Sequence, residues 1–184
     1  MRYKGSEEET RELAAGIKLL ILDVDGVLTN GGLIVHDDGK ESKVFHVHDG
    51  HGIRLVQRAG IEVALLTGRR SAVVAHRARD LEIRIVVQGT KDKLASYREI
   101  LKERQLTDRD VAYVGDDLVD IPVLRRVGLA VAVADAAPSV HSYCHITTQN
   151  GGGQGAVREV CNLLLQAQGL WQEVTAPYLS DLFS

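Results

Sequence analysis

Residues 19–29 read LLILDVDGVLT, an apolar run that ends in two aspartates separated by one residue. Four large aliphatic residues followed by charge and glycine are typical of an interior strand of a parallel sheet, which is covered on both faces. Open α/β sheets bind ligands beyond the carboxyl ends of such strands. Because Asp side chains are seldom buried without a partner, Asp23 and Asp25 predict a metal or hydrogen-bonding site. A simple turn is the competing interpretation, since Asp and Gly are common where a strand passes into a loop.

Further apolar runs recur along the chain, and segments with helical spacing lie between them. The predicted strands are Ile17–Leu22, Ile61–Leu66, Ile83–Val87, Val111–Val114, Leu129–Val133 and a weaker Cys144–Thr147. The predicted helices are 7–15, 50–59, 71–81, 91–104, 117–127, Ala156–Gln168 and a short one from Leu170. This alternation predicts an α/β fold, a doubly wound parallel sheet with helices on both faces and right-handed crossovers.

Residues 32–47 interrupt the alternation. Two apolar segments, 33–36 and 42–47, flank an Asp-Gly pair, which predicts a protruding β-hairpin. A two-stranded ribbon is seldom stable alone in water, so it must pack against another surface. Two partners remain open: the hairpin folds onto its own domain, or it pairs with the same hairpin of another subunit and covers the exposed edges.

Length and composition restrict the class of protein. The 184 residues fit one domain, 1–184, with a glycine-rich segment and C-terminal helices at 149–184. A hydrophobic fraction of 45% argues against disorder, and a net charge of -3 gives no reason to expect a nucleic acid partner. The cysteines show no metal-binding spacing, the start of the chain is charged, and no apolar run approaches the ~20 residues of a membrane span. We therefore expect a cytoplasmic protein with no membrane contact.

Four polar motifs stand at or just after the carboxyl ends of predicted strands. They are Asp23 with Asp25, Thr67, Lys93, and the cluster Asp116, Asp117 and Asp120. Each motif has a local explanation: a turn, a helix cap, a solvated side chain, or acidic residues at a helix N-terminus. All four together on one edge of a parallel sheet are better explained by a shared cleft.

The chemistry of these residues suits phosphoryl transfer. The carboxylate oxygens of Asp23 and Asp116 are ligands that Mg²⁺ prefers in proteins. Asp23 would attack phosphorus and form an aspartyl-phosphate, which divides one difficult displacement into two easier ones. Asp25 would protonate the departing oxygen and later activate water. Thr67 and Lys93 would bind the equatorial phosphoryl oxygens.

The strings DVDGVLT, TGRR and GDDLVD resemble the haloacid dehalogenase superfamily of phosphatases, and the resemblance runs from about residue 17 to residue 165. It implies that Asp23 is the nucleophile and Asp25 the acid/base. It also implies a Mg²⁺ site formed by the Asp23 and Asp116 carboxylates and the backbone carbonyl of Asp25, with Asp117 and Asp120 supporting it. Neither interval between the motifs has room for a cap domain, so the resemblance is to the capless branch.

The capless branch implies a homo-oligomer, specifically a homotetramer built around such hairpins. Its implied substrate is a small-molecule sugar phosphate, 3-deoxy-D-manno-octulosonate 8-phosphate, used in lipopolysaccharide synthesis. The implied substrate contacts are Asp25, His46, Val47, His48, Asp49, Gly50, Arg54, Arg69, Arg77 and Lys93. Arginines suit a sugar acid because a guanidinium binds a carboxylate in bidentate fashion. The glycine-rich segment 151–158 resembles a mobile lid that enters a neighbouring active site.

Two other interpretations stay open. A sialic acid-type nonulosonate 9-phosphate is the nearest alternative substrate, and His46 and His48 stand where the family pattern has Asn and Arg. A receiver-type phosphoacceptor module would also use Asp, Thr, Lys and Mg²⁺. Receivers, however, carry the phosphorylated Asp after the third strand, where this chain has Gln88 and Gly89.

Overall fold

The computed structural model describes residues 1–179. The strands in this part of the chain are β1 (Arg2–Tyr3), β2 (Leu19–Leu22), β3 (Ile34–Val35), β4 (Glu41–Ser42), β5 (Glu62–Thr67), β6 (Ile85–Gln88), β7 (Val111–Gly115), β8 (Leu129–Ala132) and β9 (Ile146–Thr147). The α-helices are α1 (Glu7–Ala15), α2 (Val47–Arg58), α3 (Ala72–Asp80), α4 (Lys93–Arg104), α5 (Ile121–Leu124), α6 (Ala156–Ala167) and α7 (Trp171–Leu179). Residues 180–184, the end of the predicted C-terminal region 149–184, lie outside the described residues.

The main sheet has the strand order β1-β9-β8-β7-β2-β5-β6 within residues 1–179. Strand β2 is paired in parallel with β5 on one side and with β7 on the other, and its four residues have no exposed surface. The predicted doubly wound, mostly parallel sheet is confirmed. Strand β1 was not predicted, because this two-residue strand, which pairs antiparallel with β9 at the sheet edge, is too short to show periodicity.

The connections place a crevice at the carboxyl end of β2. The chain moves outward from β2 through β5 to β6 and then returns across β2 to β7 and β8. Right-handed crossovers therefore put α2 and α3 on one face and α4 and α5 on the other. Helices α1, α2 and α6 pack together as one layer, and α4 packs with α5. Ligands bind at such topological switch points because the loops on either side diverge to opposite faces.

The hairpin is shorter than predicted, and α2 begins earlier. Strands β3 and β4 pair only over Ile34–Val35 and Glu41–Ser42, and His46 already has the extended backbone of a helix N-cap, with φ -83°. The expectation of a strand reaching residue 47 and a helix from residue 50 is wrong. Packing explains the difference, because the Asp49 carboxylate in the first turn of α2 accepts the N–H groups of Gly155 and Arg158 at 3.3 and 2.8 Å.

The predicted helix at 117–127 is also shorter in the structure. A 3₁₀ turn at Leu118–Asp120 comes first, and α5 then covers only Ile121–Leu124. Asp117 and Asp120 form a reciprocal cap around the turn, which ties its geometry to the loop after β7. None of the helices in residues 1–179 combines the length and the apolar character needed to cross a membrane.

Candidate active site

The four polar motifs meet in one cleft at the carboxyl edge of the sheet. Thr67 ends β5 there, and Asp23 and Asp116 follow directly after β2 and β7. Helix α4 begins at the rim because the Asp92 carboxylate accepts the N–H of Ala95 at 3.0 Å. The predicted residues that line this cleft are Asp23, Asp25, Thr67, Arg69, Lys93, Asp116 and Asp117. Motifs that lie far apart along the chain thus form a single site.

Three carboxylates converge at the floor of the cleft. Asp23, Asp116 and Asp120 each have an oxygen within 4.8 Å of the others. One oxygen of Asp23 and one of Asp116 are buried and have no hydrogen-bond partner. Buried polar atoms in native proteins are almost always satisfied, so these two oxygens are suited to ligate a cation. Their hard oxygen chemistry fits Mg²⁺.

Burial and mutual repulsion act on the same pair of carboxyls. Burial, together with the charge of Asp23, raises the pKa of Asp116 to about 8. Burial also raises the pKa of Asp23, although the nearby Lys93 ammonium opposes that rise. A positive charge bound between the two carboxyls would offset the burial and the repulsion and favour their ionised forms.

Asp120 supports this pair and does not present a free oxygen. It has no exposed surface, and one of its oxygens accepts from Lys93 Nζ and from the Tyr113 hydroxyl, both at 2.6 Å. Its other oxygen accepts the N–H groups of Asp116 and Asp117 at 3.0 and 3.2 Å. The Asp117 carboxylate accepts the N–H of Leu118. Asp120 thus holds the loop that carries Asp116.

Lys93 joins the nucleophile candidate to this support. Its ammonium lies 3.0 Å from Asp23 Oδ2 and 2.6 Å from Asp120 Oδ1, and the side chain is 5% exposed. Burial lowers the pKa of Lys93, but Asp23 and Asp120 outweigh it and raise that pKa above the usual value. Lys93 therefore carries a fixed positive charge beside Asp23.

Gly26 allows the loop after β2 to pass over Asp116. Its φ is +91°, a left-handed conformation that L side chains rarely adopt. A Cβ at this position would overlap the Asp116 carboxylate. The glycine in DVDGVLT is therefore needed both for the turn and for the approach of the two loops.

Asp25 faces away from the acidic floor, towards the hairpin. Its carboxylate is ion-paired with Lys43, and Arg69 Nε lies 3.6 Å from its other oxygen. Arg69 also donates to Glu41 at 3.2 Å. The carboxylate of Asp25 is not in the acidic group, so the predicted ligand role falls on its backbone carbonyl. Sequence reasoning missed Lys43 and Glu41, because no motif marks them and their contacts depend on how the hairpin folds back.

The first turn of α2 is built differently from the prediction. The His46 and His48 rings pack edge to face, with centroids 5.1 Å apart, at the start of the helix and not on alternating strand positions. The buried Asp49 carboxylate accepts hydrogen bonds from the N–H groups at the start of α6. Gly50 packs so closely against Arg77 that a Cβ would overlap the guanidinium. Exposed Val47 does not line the cleft either. The predicted substrate contacts at 46–50 are therefore not brought to the cleft of their own chain.

Two predicted arginine contacts also lie elsewhere. Arg54 is paired with Glu82 at 2.6 Å and borders a groove with Glu62 at the amino ends of β5 and β6, the opposite edge of the sheet. The Arg77 guanidinium stacks over the Phe45 ring at 5.6 Å. Of the predicted substrate contacts, only Asp25, Arg69 and Lys93 line the cleft. The remaining contacts were predicted from the family resemblance alone. The sequence does not reveal the ion pair, the ring stacking and the hydrogen bonds that hold these side chains outside the cleft.

The glycine-rich segment 151–158 packs against the loop after β2 of its own chain, and its role as a mobile lid over a neighbouring active site stays a prediction. Gly152 N–H donates to Asp135 at 2.8 Å, and Gly153 N–H donates to the Val27 carbonyl at 2.9 Å. A Cβ at Gly152 would overlap the carbonyl of Gly26. The segment therefore braces the loop that carries Asp25.

Known proteins share both the sequence and the fold. The haloacid dehalogenase-like hydrolase family matches residues 82–159. The Yersinia pestis 3-deoxy-D-manno-octulosonate 8-phosphate phosphatase KdsC is 48% identical over 166 residues, 90% of this chain and 89% of that protein.

Two solved structures extend the comparison. The Moraxella catarrhalis 3-deoxy-D-manno-octulosonate 8-phosphate phosphatase, in complex with magnesium ion, phosphate ion and a KDO molecule, has a TM-score of 0.92 at 37% identity and covers 94% of this chain and 99% of that chain. The cobalt-bound deoxy-D-mannose-octulosonate 8-phosphate phosphatase from Haemophilus influenzae has a TM-score of 0.86 at 39% identity, with 91% and 99% covered. The chain belongs to the 3-deoxy-D-manno-octulosonate 8-phosphate phosphatase family of haloacid dehalogenase-like hydrolases.

Proposed function

We propose that this protein is a Mg²⁺-dependent phosphatase that hydrolyses 3-deoxy-D-manno-octulosonate 8-phosphate to the free sugar acid and phosphate. One observation carries the proposal: buried Asp23 and half-buried Asp116 each present a buried oxygen without a hydrogen-bond partner, with Lys93 beside Asp23, in a chain that is 48% identical to a phosphatase of that name. Such a site binds a cation and an anion together, as the hydrolysis of a phosphate ester requires.

Asp23 and Asp116, with the backbone carbonyl of Asp25, would hold Mg²⁺, which when bound neutralises negative charge and lets an anionic carboxylate approach an anionic phosphate. In the first step an Asp23 oxygen forms a bond to phosphorus while the phosphorus–oxygen bond to the sugar breaks. The Asp25 carboxyl gives its proton to the departing sugar oxygen. The product of this step is an aspartyl-phosphate and the free sugar acid.

In the second step water attacks the aspartyl-phosphate. The Asp25 carboxylate takes a proton from that water, the bond between Asp23 and phosphorus breaks, and inorganic phosphate leaves. Lys93 and the Thr67 hydroxyl bind the equatorial oxygens on which negative charge accumulates. Asp23 and Asp25 return to their starting states.

The cleft also suits a sugar acid. Arg69 follows Thr67 at the end of β5, is about half exposed, and stands beside Asp25 on the side where the leaving group would lie. Its guanidinium would bind the substrate carboxylate in bidentate fashion. The other predicted contacts at 46–50, Arg54 and Arg77 would have to reach the substrate from a neighbouring subunit, and they stay predictions.

A substrate panel tests the proposal. We expect kcat/KM with Mg²⁺ to be highest for the octulosonate 8-phosphate, and EDTA to abolish turnover. Equal kcat/KM for a nonulosonate 9-phosphate would contradict the substrate assignment. A single stoichiometric burst without turnover would instead favour a receiver-type module. Asp80→Asn serves as the control variant, since that carboxylate is 60% exposed at the end of α3 and lies outside the cleft.

We also propose a homo-oligomer, a homotetramer by the family resemblance, assembled through the hairpin. Its large apolar side chains are exposed in the single chain, at 51% for Leu33, 47% for Ile34 and 66% for Val35. Apolar clusters of this kind mark interaction surfaces. The mass of the Val35→Lys variant, measured by light scattering, should fall relative to the wild type if the hairpin assembles subunits. The cytoplasmic location stays a prediction.

A further inference from the structure

We infer that Lys43 is a positioning residue for Asp25, which it holds on the leaving-group side of the cleft. The inference rests on the proposed function, because it assigns Lys43 a part in the proton transfer made by Asp25. Lys43 belongs to none of the motifs and follows directly after β4.

The contacts of Asp25 define this part. One carboxylate oxygen is ion-paired with Lys43, and the other faces Arg69 at 3.6 Å. Lys43 thus holds one oxygen from the hairpin side, the other oxygen lies beyond hydrogen-bond distance of Arg69 and can carry the proton, and the carboxylate is kept out of the group formed by Asp23, Asp116 and Asp120. A proton donor must face the departing oxygen and not the attacking one, so this orientation is the one that the first step requires.

The burial of Lys43 distinguishes its ion pair with Asp25 from an ordinary surface ion pair. The Lys43 side chain is 1% exposed, whereas Lys40 at the tip of the same hairpin is 82% exposed. A buried ammonium is retained only where carboxylates compensate for the loss of water, and Asp25 and Glu41 do so here. Glu41 lies on β4 and is itself held by Arg69. The base of the hairpin therefore fixes Lys43, and Lys43 fixes Asp25.

Chain geometry explains why a lysine at position 43 can do this. The turn of the hairpin is closed by two hydrogen bonds, from His36 N–H to the Lys40 carbonyl and from Gly39 N–H to the His36 carbonyl, so β4 runs back towards the cleft. Residues 41 and 43 then lie on the same face of the extended chain, which aims both side chains at the cleft. An insertion or deletion in the hairpin would move both of them.

The experiment compares two aryl phosphates that differ in the basicity of the leaving group. Phenyl phosphate releases a basic phenolate that needs the proton of Asp25, whereas 4-nitrophenyl phosphate releases a stable anion that does not. kcat/KM reports only the steps up to departure of the first leaving group, so water attack does not enter the comparison. Neither substrate carries the sugar, so a lost sugar contact cannot imitate the effect.

We expect Lys43→Met to lower kcat/KM for phenyl phosphate at least about 10-fold more than for 4-nitrophenyl phosphate, since general acid catalysis contributes ~10²- to 10⁴-fold. Asp25→Asn should show the same selectivity in a stronger form. Lys43→Arg, which keeps the charge and the carboxylate contact, should recover most of the loss. Lys40→Met, on the exposed tip, is the matched control and should change neither substrate.

The other outcomes overturn the inference in distinguishable ways. Equal losses on both esters would make Lys43 merely structural, and a loss confined to the octulosonate 8-phosphate would make it a sugar contact. If Lys43→Met does not fold, as judged by thermal unfolding, Lys43→Gln carries the same comparison. A wild-type protein that hydrolyses none of the three esters would refute the proposed function itself, and the role of Lys43 with it.

Discussion

Replacing Asp116 by Asn should stabilise the metal-free protein while abolishing its response to Mg²⁺. Asp23 and Asp116 have carboxylate oxygens no more than 4.8 Å apart. Two unit charges at that separation repel by roughly 3.5 kcal/mol at an effective dielectric constant of about 20. Solvent around the partly exposed Asp116 and the Lys93 ammonium reduce this value. We therefore expect a net gain of about 1–2 kcal/mol for Asp116→Asn at alkaline pH.

The sign follows from the pKa shift. Burial and the Asp23 charge raise the pKa of Asp116 to about 8, above its unfolded value. The folded protein then binds more protons than the unfolded chain, so the stability due to this group is full at acidic pH and is lost as the pH rises through about 8. The advantage of Asp116→Asn should therefore vanish near the unfolded pKa of about 4 and be complete above about 8.

Mg²⁺ should reverse the order of the two proteins. A ligand at 100 times its Kd stabilises the folded state by about 2.7 kcal/mol, and this gain requires both carboxylates. For a chain of this size, 1 kcal/mol corresponds to about 2–4 °C in Tm. In EDTA at alkaline pH the variant should therefore melt higher than the wild type, and with saturating Mg²⁺ it should melt lower.

Differential scanning calorimetry at acidic and alkaline pH, with Mg²⁺ or EDTA, measures these shifts. Asp80→Asn is the matched control, because that carboxylate is 60% exposed at the end of α3 and lies outside the cleft. It should respond to Mg²⁺ as the wild type does. A wild type that is the more stable protein in EDTA at alkaline pH, or an Asp116→Asn variant that gains as much from Mg²⁺, would refute the reasoning.

Three further predictions test other parts of the structure. Asp23→Asn should abolish turnover without lowering the Tm, because an amide fills the same volume, and mass spectrometry should detect no phosphorylated enzyme; measurable turnover would remove Asp23 as the nucleophile. Gly152→Ala should destabilise the protein by about 1–3 kcal/mol in urea unfolding, since its Cβ meets the Gly26 carbonyl, whereas Gly16→Ala, whose Cβ would make an ordinary contact with the Leu13 carbonyl, should not. Burial raises the pKa of the Cys144 thiol to about 12 and that of Cys161 further, so neither should react with a thiol reagent until the protein unfolds; rapid reaction of the native protein would contradict their burial.

Much of the fold could be predicted because its signals are local. An interior parallel strand is apolar on both faces, so β2, β5 and β7 are visible as short aliphatic runs. Parallel strands with helical connections must then bring their carboxyl ends to one edge. The convergence of Asp23, Thr67, Lys93 and Asp116 follows from that rule, and the structure places all four along one cleft. Their catalytic roles stay predictions.

Predictions from local sequence patterns were incomplete where contacts with distant parts of the chain determine the structure. Residues 44–47, Val-Phe-His-Val, are rich in strand-forming residues, yet α2 starts at Val47 because Asp49 is held by α6, more than a hundred residues away. The tail at 151–158 looks like a flexible linker, yet its glycines serve close packing against the loop after β2. In both cases tertiary contacts outweigh the weak preference of a short segment.

Composition and pattern alone were enough for the sheet, the order of its motifs and the class of chemistry, since these depend on which residues are apolar and on which strand end they follow. The orientation of each side chain within the cleft could not be predicted from composition and pattern. Whether Asp25 faces the acidic floor or the hairpin depends on Lys43, 18 residues away, and on Arg69 beyond it. Ion pairs between residues far apart in the chain leave no periodicity, because they form only after the backbone has brought the charges together.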